Sequence, residues 1–307
     1  MTVNTSSLHD IWDAQFWGPV TATLDWCEAN YQFSRYIAEL VNTVSNFITL
    51  AFAVYGASIV NSAQLPGRYI TGWIGFALVG LGSFIFHATL RYSAQLMDEL
   101  PMIYVASYCC AVLFDTQPGY DLTNIKTKSI FILSAVFNVL FTWSYAVYRN
   151  PIYHQAVFAS IMFTTAFRTY HILSSSDPVS RTAAKYHIPL HCKKTVASLF
   201  LTGAFTFAFG FFVWNLDNIF CGTVTRWKHG LGWPVAFLLE GHSWWHIFTA
   251  AGTYLMLIGN TCTTLGVKDD FANYKITYKW GVLPGIERTA KGRSAIQHTQ
   301  RDSKKVL

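Results

Sequence analysis

Three histidines have a spacing that suits a bound metal ion. His242 and His246 are four residues apart in the segment Glu240–His246, so in a helix both imidazoles lie on one face and can chelate a single ion. The third candidate ligand is His87, near the end of another apolar segment. A three-histidine zinc site keeps a fourth position open for water, whose pKa zinc lowers to about 7. The chemistry indicated is hydrolysis by an activated water.

Two further polar side chains are expected beside these histidines. Ser83 precedes His87 by four residues and would share its helix face, and Asp98 stands at the start of the next apolar segment. Asp98 would take the proton of the water and pass it to the leaving group, while Ser83 would donate a hydrogen bond to the oxyanion. Two alternatives stay open. Ser83 could be the nucleophile with His87 as its base, or simply a polar contact between helices.

A second polar group, rich in oxygen ligands, precedes the first apolar segment. Its members are Asp25, the backbone carbonyl of Trp26, Glu28, Asn30 and Glu39. Such oxygens suit calcium, but the spacing is not that of an EF-hand, and from spacing alone an acidic turn that caps a helix is favoured. Glu39 also begins a polar stripe with Asn42 and Asn46, which is expected to pack helices together.

The elements that position these residues are predicted to be membrane helices. Of the 307 residues 52% are hydrophobic and only 12% are charged, which excludes a disulfide-stapled mini-protein, a disordered chain and a polar surface binder. The net charge of +6 comes largely from the last 40 residues, so it gives no reason to expect nucleic acid as a partner. No signal peptide is recognisable before residue 33.

Windows of about 20 apolar residues predict an all-α membrane protein, a bundle of seven transmembrane helices with an intramembrane zinc site. The predicted spans run from about Tyr36 to Val60, Arg68 to Leu90, Leu100 to Asp115, Ile130 to Val147, Ile152 to Leu173, Val196 to Leu216 and Pro234 to Ile258. Residues 1–35 would form a luminal segment with the calcium-binding turn, and 36–265 the catalytic domain. Residues 266–307 would form a basic, mostly disordered cytosolic tail.

The orientation follows from the distribution of basic residues. Five Lys and Arg fall on the face of the N-terminus and sixteen on the other, which predicts a cytosolic C-terminus. A luminal N-terminus would expose the sequon at Asn4 to glycosylation and would let Cys27 and Cys221 pair. The end of the chain, with Lys304 and Lys305, is similar to a dilysine retrieval signal read by coat proteins. These features predict the endoplasmic reticulum membrane, with the Golgi as an alternative.

Several motifs, in order, resemble those of the alkaline ceramidase family, and the resemblance is closest to its fungal phytoceramidase and dihydroceramidase members. The residues that carry it are Trp17–Pro19, Thr23–Asn30, Ile37–Glu39, Asn42–Asn46, Gly82–Leu90, Gln95–Met102 and His242–His246. The resemblance covers nearly the whole chain up to the tail.

The resemblance implies a seven-helix intramembrane enzyme that hydrolyses the amide bond of ceramide within the bilayer. It implies zinc on His87, His242 and His246, assistance by Ser83 and Asp98, and a disulfide between Cys27 and Cys221. It also implies calcium at Asp25, Trp26, Glu28, Asn30 and Glu39, which spacing alone does not favour.

Two other classes of function remain as alternatives. One is a seven-span zinc-containing lipid receptor of the adiponectin-receptor-like type, which would have a large soluble N-terminal region and the opposite topology. The other is a transporter that uses Asp98, Glu240 and Arg168 as coupling residues, although the chain shows no inverted repeat.

Overall fold

The fold is a bundle of long α-helices. The computed structural model describes residues 15–117, 119–175 and 188–295. Within them the long helices are α1 Leu40–Ser62, α2 Arg68–Thr89, α3 Tyr92–Phe114, α4 Ile125–Tyr148, α5 Pro151–Ser175, α6 Leu190–Ile219 and α8 Gly241–Lys268. The short helix α7 Cys221–Leu231 and a 3-10 turn, Val235–Leu239, connect α6 to α8.

Five of the helices, α1 to α4 and α6, are long and apolar enough to cross a membrane. The prediction of a helical, multi-pass membrane protein is therefore confirmed, whereas the number of seven spans remains a prediction. Helices α5 and α8 have 25 and 28 residues, long enough to cross, but their composition is more polar. In α8 this polarity comes from the two histidines and from threonines such as Thr261 and Thr263, whose hydroxyls donate to carbonyls of their own helix.

Helix α8 lies in the interior of the bundle, packed along α6 and α1. Its backbone meets that of α6 where Gly252 faces Gly203: a Cβ on Gly203 would lie 2.7 Å from the carbonyl oxygen of Gly252. Small residues at such crossings let helices approach closely, as is common in membrane bundles. The close approach fixes α8, which carries two of the candidate metal ligands.

The chain after α8 forms an ordered β-hairpin, so the prediction of a mostly disordered tail is wrong for this part. A 3-10 turn at Phe271–Asn273 leads into β1 Tyr274–Lys279, which pairs antiparallel with β2 Leu283–Arg288. The turn uses positive φ angles at Trp280 and Gly281. The strand pattern in the sequence is short, because each strand has six residues and β2 contains Pro284 and Gly285.

Candidate metal centre and active site

The three histidines converge on one buried point. Their ligand nitrogens all lie within 4.8 Å of one another, and the Nε2 atoms of His87 and His242 are 3.2 Å apart. Each of the three residues is at most 6% exposed. Two nitrogens bound tetrahedrally to one zinc ion at the usual Zn–N distance are about 3.3 Å apart. The geometry of the histidines thus agrees with a shared metal ion.

Two helix ends place these ligands. His87 lies in the last turn of α2, which ends at Thr89, and Leu90 follows in the left-handed conformation. His242 and His246 lie in the first two turns of α8. The start of α8 is held by α6, because the Oδ1 atom of Asp217 accepts a hydrogen bond from the backbone N–H of Gly241 at 3.2 Å.

Neighbouring side chains also hold the three rings, two of them at Nδ1 and the third, His242, by its ring face. The Nδ1 atom of His87 contacts the Glu39 carboxylate, and the Nδ1 atom of His246 lies 2.7 Å from the hydroxyl of Ser45. His242 stacks on the Trp26 ring, with centroids 3.9 Å apart. A carboxylate or hydroxyl behind a histidine sets the tautomer and leaves the other nitrogen free for a metal. These contacts therefore orient the ligands.

Sequence reasoning missed this second role of α1. It interprets Glu39, Asn42 and Asn46 as a packing stripe and does not single out Ser45. The sequence does show that Glu39, Asn42 and Asn46 recur at helical spacing and so share one face. In the structure all three are buried. What the sequence does not give is that the stripe faces the histidines of α2 and α8.

Ser83 and Asp98 meet beside the histidines. The hydroxyl of Ser83 lies 3.5 Å from Nε2 of His246, and the Asp98 carboxylate interacts with the Ser83 side chain. Asp98 lies seven residues into α3, which begins earlier than the predicted third span. The serine contacts His246 rather than His87 among the described hydrogen bonds, which does not favour the alternative of Ser83 as a nucleophile activated by His87.

The crossing of α2 and α3 at this point depends on Gly82. A Cβ on Gly82 would lie 2.8 Å from the backbone nitrogen of Asp98, and closer still to the carbonyl of Met97. That carbonyl has no helical donor four residues on, because Pro101 lacks an N–H group. The glycine and the proline together allow the helix carrying Ser83 to contact the helix carrying Asp98.

Four of the five candidate calcium residues, all except Glu39, lie around a cavity of about 290 Å³ at the same end of the bundle. It is lined by Asp25, Trp26, Glu28 and Asn30 together with residues of α7 and the segment after it. Asp25 Oδ1 accepts hydrogen bonds from the backbone of Trp26 and the side chain of Asn30. Among the described residues, the only group of three or more His, Cys, Asp or Glu side chains close enough to share an ion is that of the three histidines.

Two glutamates of this set differ in what they bind. Both carboxylate oxygens of Glu28 accept backbone N–H groups of the first turn of α1, from Val41 at 2.7 Å and Asn42 at 2.8 Å, so Glu28 acts as a helix cap. Burial raises the pKa of Glu28 to about 7. Glu39 is fully buried, and its Oε1 atom has no hydrogen-bond partner among the described residues. An unpaired buried carboxylate oxygen is costly, which favours a cation beside Glu39.

The predicted disulfide between Cys27 and Cys221 is confirmed, with the two Cα atoms 5.4 Å apart. It joins the segment of the candidate calcium residues to the first residue of α7. The Nζ atom of Lys228, also on α7, donates to the carbonyl of Cys27 at 3.1 Å and pairs with Glu240 at 2.6 Å. The disulfide and the lysine together attach the N-terminal segment to the residue that precedes α8.

The comparison with known proteins decides the family. The ceramidase family model matches residues 18–287. The chain belongs to the ceramidase family. It is 32% identical over 276 residues to alkaline ceramidase 3 of Mus musculus, covering 88% of this chain and 94% of the relative. It is also 32% identical over 289 residues to alkaline ceramidase YPC1 of Saccharomyces cerevisiae, covering 90% and 87%.

Membership of the ceramidase family does not favour the receptor and transporter alternatives. The contacts of the proposed coupling residues agree with this. Glu240 is paired with Lys228, and Arg168 donates to the carbonyl of Leu113 at 3.3 Å. The sequon at Asn4 and the lysines Lys304 and Lys305 lie outside the described residues.

Proposed function

We propose that this member of the ceramidase family is a zinc-dependent intramembrane amidase that hydrolyses ceramides to a sphingoid base and a free fatty acid. The observation that carries the proposal is the convergence of three buried histidines with Ser83 and Asp98 between membrane helices. Phytoceramide or dihydroceramide is the proposed substrate class, following the resemblance to the fungal members. A lipid with two long chains stays in the bilayer, so a hydrolase acting on it needs its site there.

The proposed roles follow from the position of each side chain. His87, His242 and His246 would hold zinc, which when bound acts as a Lewis acid and lowers the pKa of water. The Ser83 hydroxyl, beside His246, would donate a hydrogen bond to the oxygen of the scissile amide as negative charge develops there. Asp98, beside Ser83, would accept the proton of the attacking water and deliver it to the departing amide nitrogen.

Calcium is proposed at Asp25, the carbonyl of Trp26, Glu28, Asn30 and Glu39. The unpaired Oε1 of Glu39 supports it, since the other oxygen of the same carboxylate contacts His87. Loss of calcium would leave Oε1 of Glu39 without a partner and would weaken the support of His87. Zinc-dependent turnover at the full rate after calcium has been removed by a chelator would contradict this part of the proposal.

The proposed location is the endoplasmic reticulum membrane, or the Golgi, with seven spans, a luminal N-terminus and a cytosolic C-terminus. The disulfide supports a luminal position of the N-terminal segment, because disulfides persist in an oxidising compartment. Glycosylation of Asn4 and recognition of Lys304 and Lys305 by coat proteins are parts of the same proposal.

The test compares the purified full-length protein with His242→Ala and Asp98→Ala. Metal content is measured by elemental mass spectrometry. The released sphingoid base is measured by lipid mass spectrometry. We expect about one zinc per wild-type chain, loss of turnover in both variants, and loss of zinc only in His242→Ala. A protein without zinc, or equal release of base by all three proteins, would contradict the proposal.

A further inference from the structure

The β-hairpin after α8 has one buried face and a bare apolar turn. On β2, Pro284, Gly285 and Ile286 are buried against the bundle. At the turn, the residues Tyr278, Trp280 and Val282 are 49%, 78% and 71% exposed. The ceramidase chemistry described above does not use this hairpin, which lies at the opposite end of α1 from the metal centre.

Three contacts fix the direction in which the hairpin runs along α1. The Nε atom of Arg288 donates to the carbonyl of Ala63, just past the end of α1, at 2.8 Å. A Cβ on Gly285 would lie 3.5 Å from the side chain of Ile59. The Nζ atom of Lys279 lies 5.1 Å from the centre of the Tyr55 ring. From β2 towards the turn, the hairpin therefore runs from the end of α1 back towards its middle.

The depth of the turn follows from helix geometry. Tyr55 precedes Ser62, the last residue of α1, by seven positions, which corresponds to about 10 Å along the helix axis. Helix α1 is one of the five with the length and composition of a membrane span. The headgroup layer on one side of a bilayer is roughly 5–8 Å thick. With the end of α1 taken as the outer edge of the headgroup layer, Tyr55 and the turn beside it lie close to the level where the headgroups meet the hydrocarbon.

We propose that the turn formed by residues 278–282 inserts into the lipid leaflet beside α1, so that the bilayer is the partner of this apolar patch. Tyrosine and tryptophan are the residues enriched at this depth. The amine of Lys279, which lies 4.7 Å from the centre of the Trp280 ring, can extend to the headgroups while its alkyl chain stays in the apolar layer.

The backbone of the turn is suited to this environment. The N–H group of Val282 donates to the carbonyl of Lys279 at 3.2 Å, which closes the turn. Polar backbone groups without partners are costly in lipid, so a closed turn is easier to insert than an open loop. The inserted turn would hold the hairpin against α8, where the Tyr254 hydroxyl donates to the carbonyl of Pro284.

The test is the reaction of single introduced cysteines with a polar polyethylene-glycol maleimide, in the full-length protein reconstituted into phosphatidylcholine nanodiscs. The variants are Val282→Cys and Trp280→Cys at the turn, with Glu287→Cys and Lys275→Cys as matched controls. The side chains of Glu287 and Lys275 are each 54% exposed on the same hairpin. The wild type gives the background from native thiols, and labelling after dodecyl sulfate denaturation gives the total.

We expect the turn cysteines to react at least about tenfold more slowly than the controls, because the reactive thiolate does not form in an apolar layer. All four should be labelled fully after denaturation. Equal rates at the turn and at the controls would overturn the proposal, since they would place the turn in water. Apart from the scaffold protein at their rim, the nanodiscs contain no other protein, so slow labelling does not come from a cellular partner that covers the turn.

Discussion

Replacing Gly82 by alanine should separate Ser83 from Asp98 without removing a functional group. In the structure a Cβ on Gly82 would lie 2.8 Å from the backbone nitrogen of Asp98, and closer still to the carbonyl of Met97. Ordinary contacts of a carbon atom begin at about 3.5 Å. Because both clashing atoms belong to the backbone of α3, no side chain can move aside, and the two helices must shift apart by roughly 1 Å.

A displacement of that size at a reacting centre costs roughly 100-fold in rate. We expect Gly82→Ala to lower kcat/KM for ceramide by about that factor. It should retain zinc, because α2 stays packed on α1 and His87 on Glu39, so that the shift falls on α3. The assay is released sphingoid base over a range of substrate concentrations, with metal content measured on the same sample.

The matched control is Gly67→Ala, just before α2, where nothing lies within 4 Å of an added Cβ. It should behave as the wild type. If Gly82→Ala hydrolyses ceramide within about twofold of the wild-type rate, the prediction is wrong. The helix crossing would then not set the distance between Ser83 and Asp98.

Three further predictions test the surroundings of the site. Glu39→Gln should weaken zinc binding by about 10- to 100-fold, measured by competition with a chelator. The control Glu99→Gln should not, because the carboxylate of Glu99 bonds Tyr145 and none of the three histidines at the candidate metal centre. Cys27→Ser should lower the free energy of unfolding by about 2–5 kcal/mol in a thermal or denaturant melt, and Cys110→Ser, which removes a free thiol, should change it little. Chelating calcium at constant zinc should reduce turnover in the wild type, and unchanged turnover would argue against calcium at Glu39.

The sequence predicts the long helices well, because five of them contain a strong apolar window. It predicts the boundaries less well at α3, where Asp98 and Pro101 suggest a start near Leu100 although the helix begins at Tyr92. Gln95 and Glu99 near the start of α3 are buried and bonded to Thr23 and Tyr145, so the helix continues through these polar positions. The hairpin is missed for another reason, since its strands have only six residues each and Pro284 and Gly285 interrupt the pattern of β2.

For the site, the sequence predicts the candidate ligands but not what supports them. The spacing of His242 and His246 suffices to place two imidazoles on one face, because a helix is a local structure. His87 faces Glu39, and His246 faces Ser45, because of the way α1 crosses α2 and α8. No local sequence pattern encodes these crossings. The close approach at Gly82 is likewise visible only once the two helices have been placed.

Glu39 explains why the two proposed metal sites should act together. One oxygen of its carboxylate contacts His87, and the other is buried without a partner among the described residues. A cation at the second oxygen would hold the carboxylate ionised and in position, which in turn would fix the ring of His87. Glu28 adds a second link, because it caps the turn of α1 that follows Glu39. A change in the N-terminal segment would therefore affect the histidines through the first turn of α1 and the side chain of Glu39.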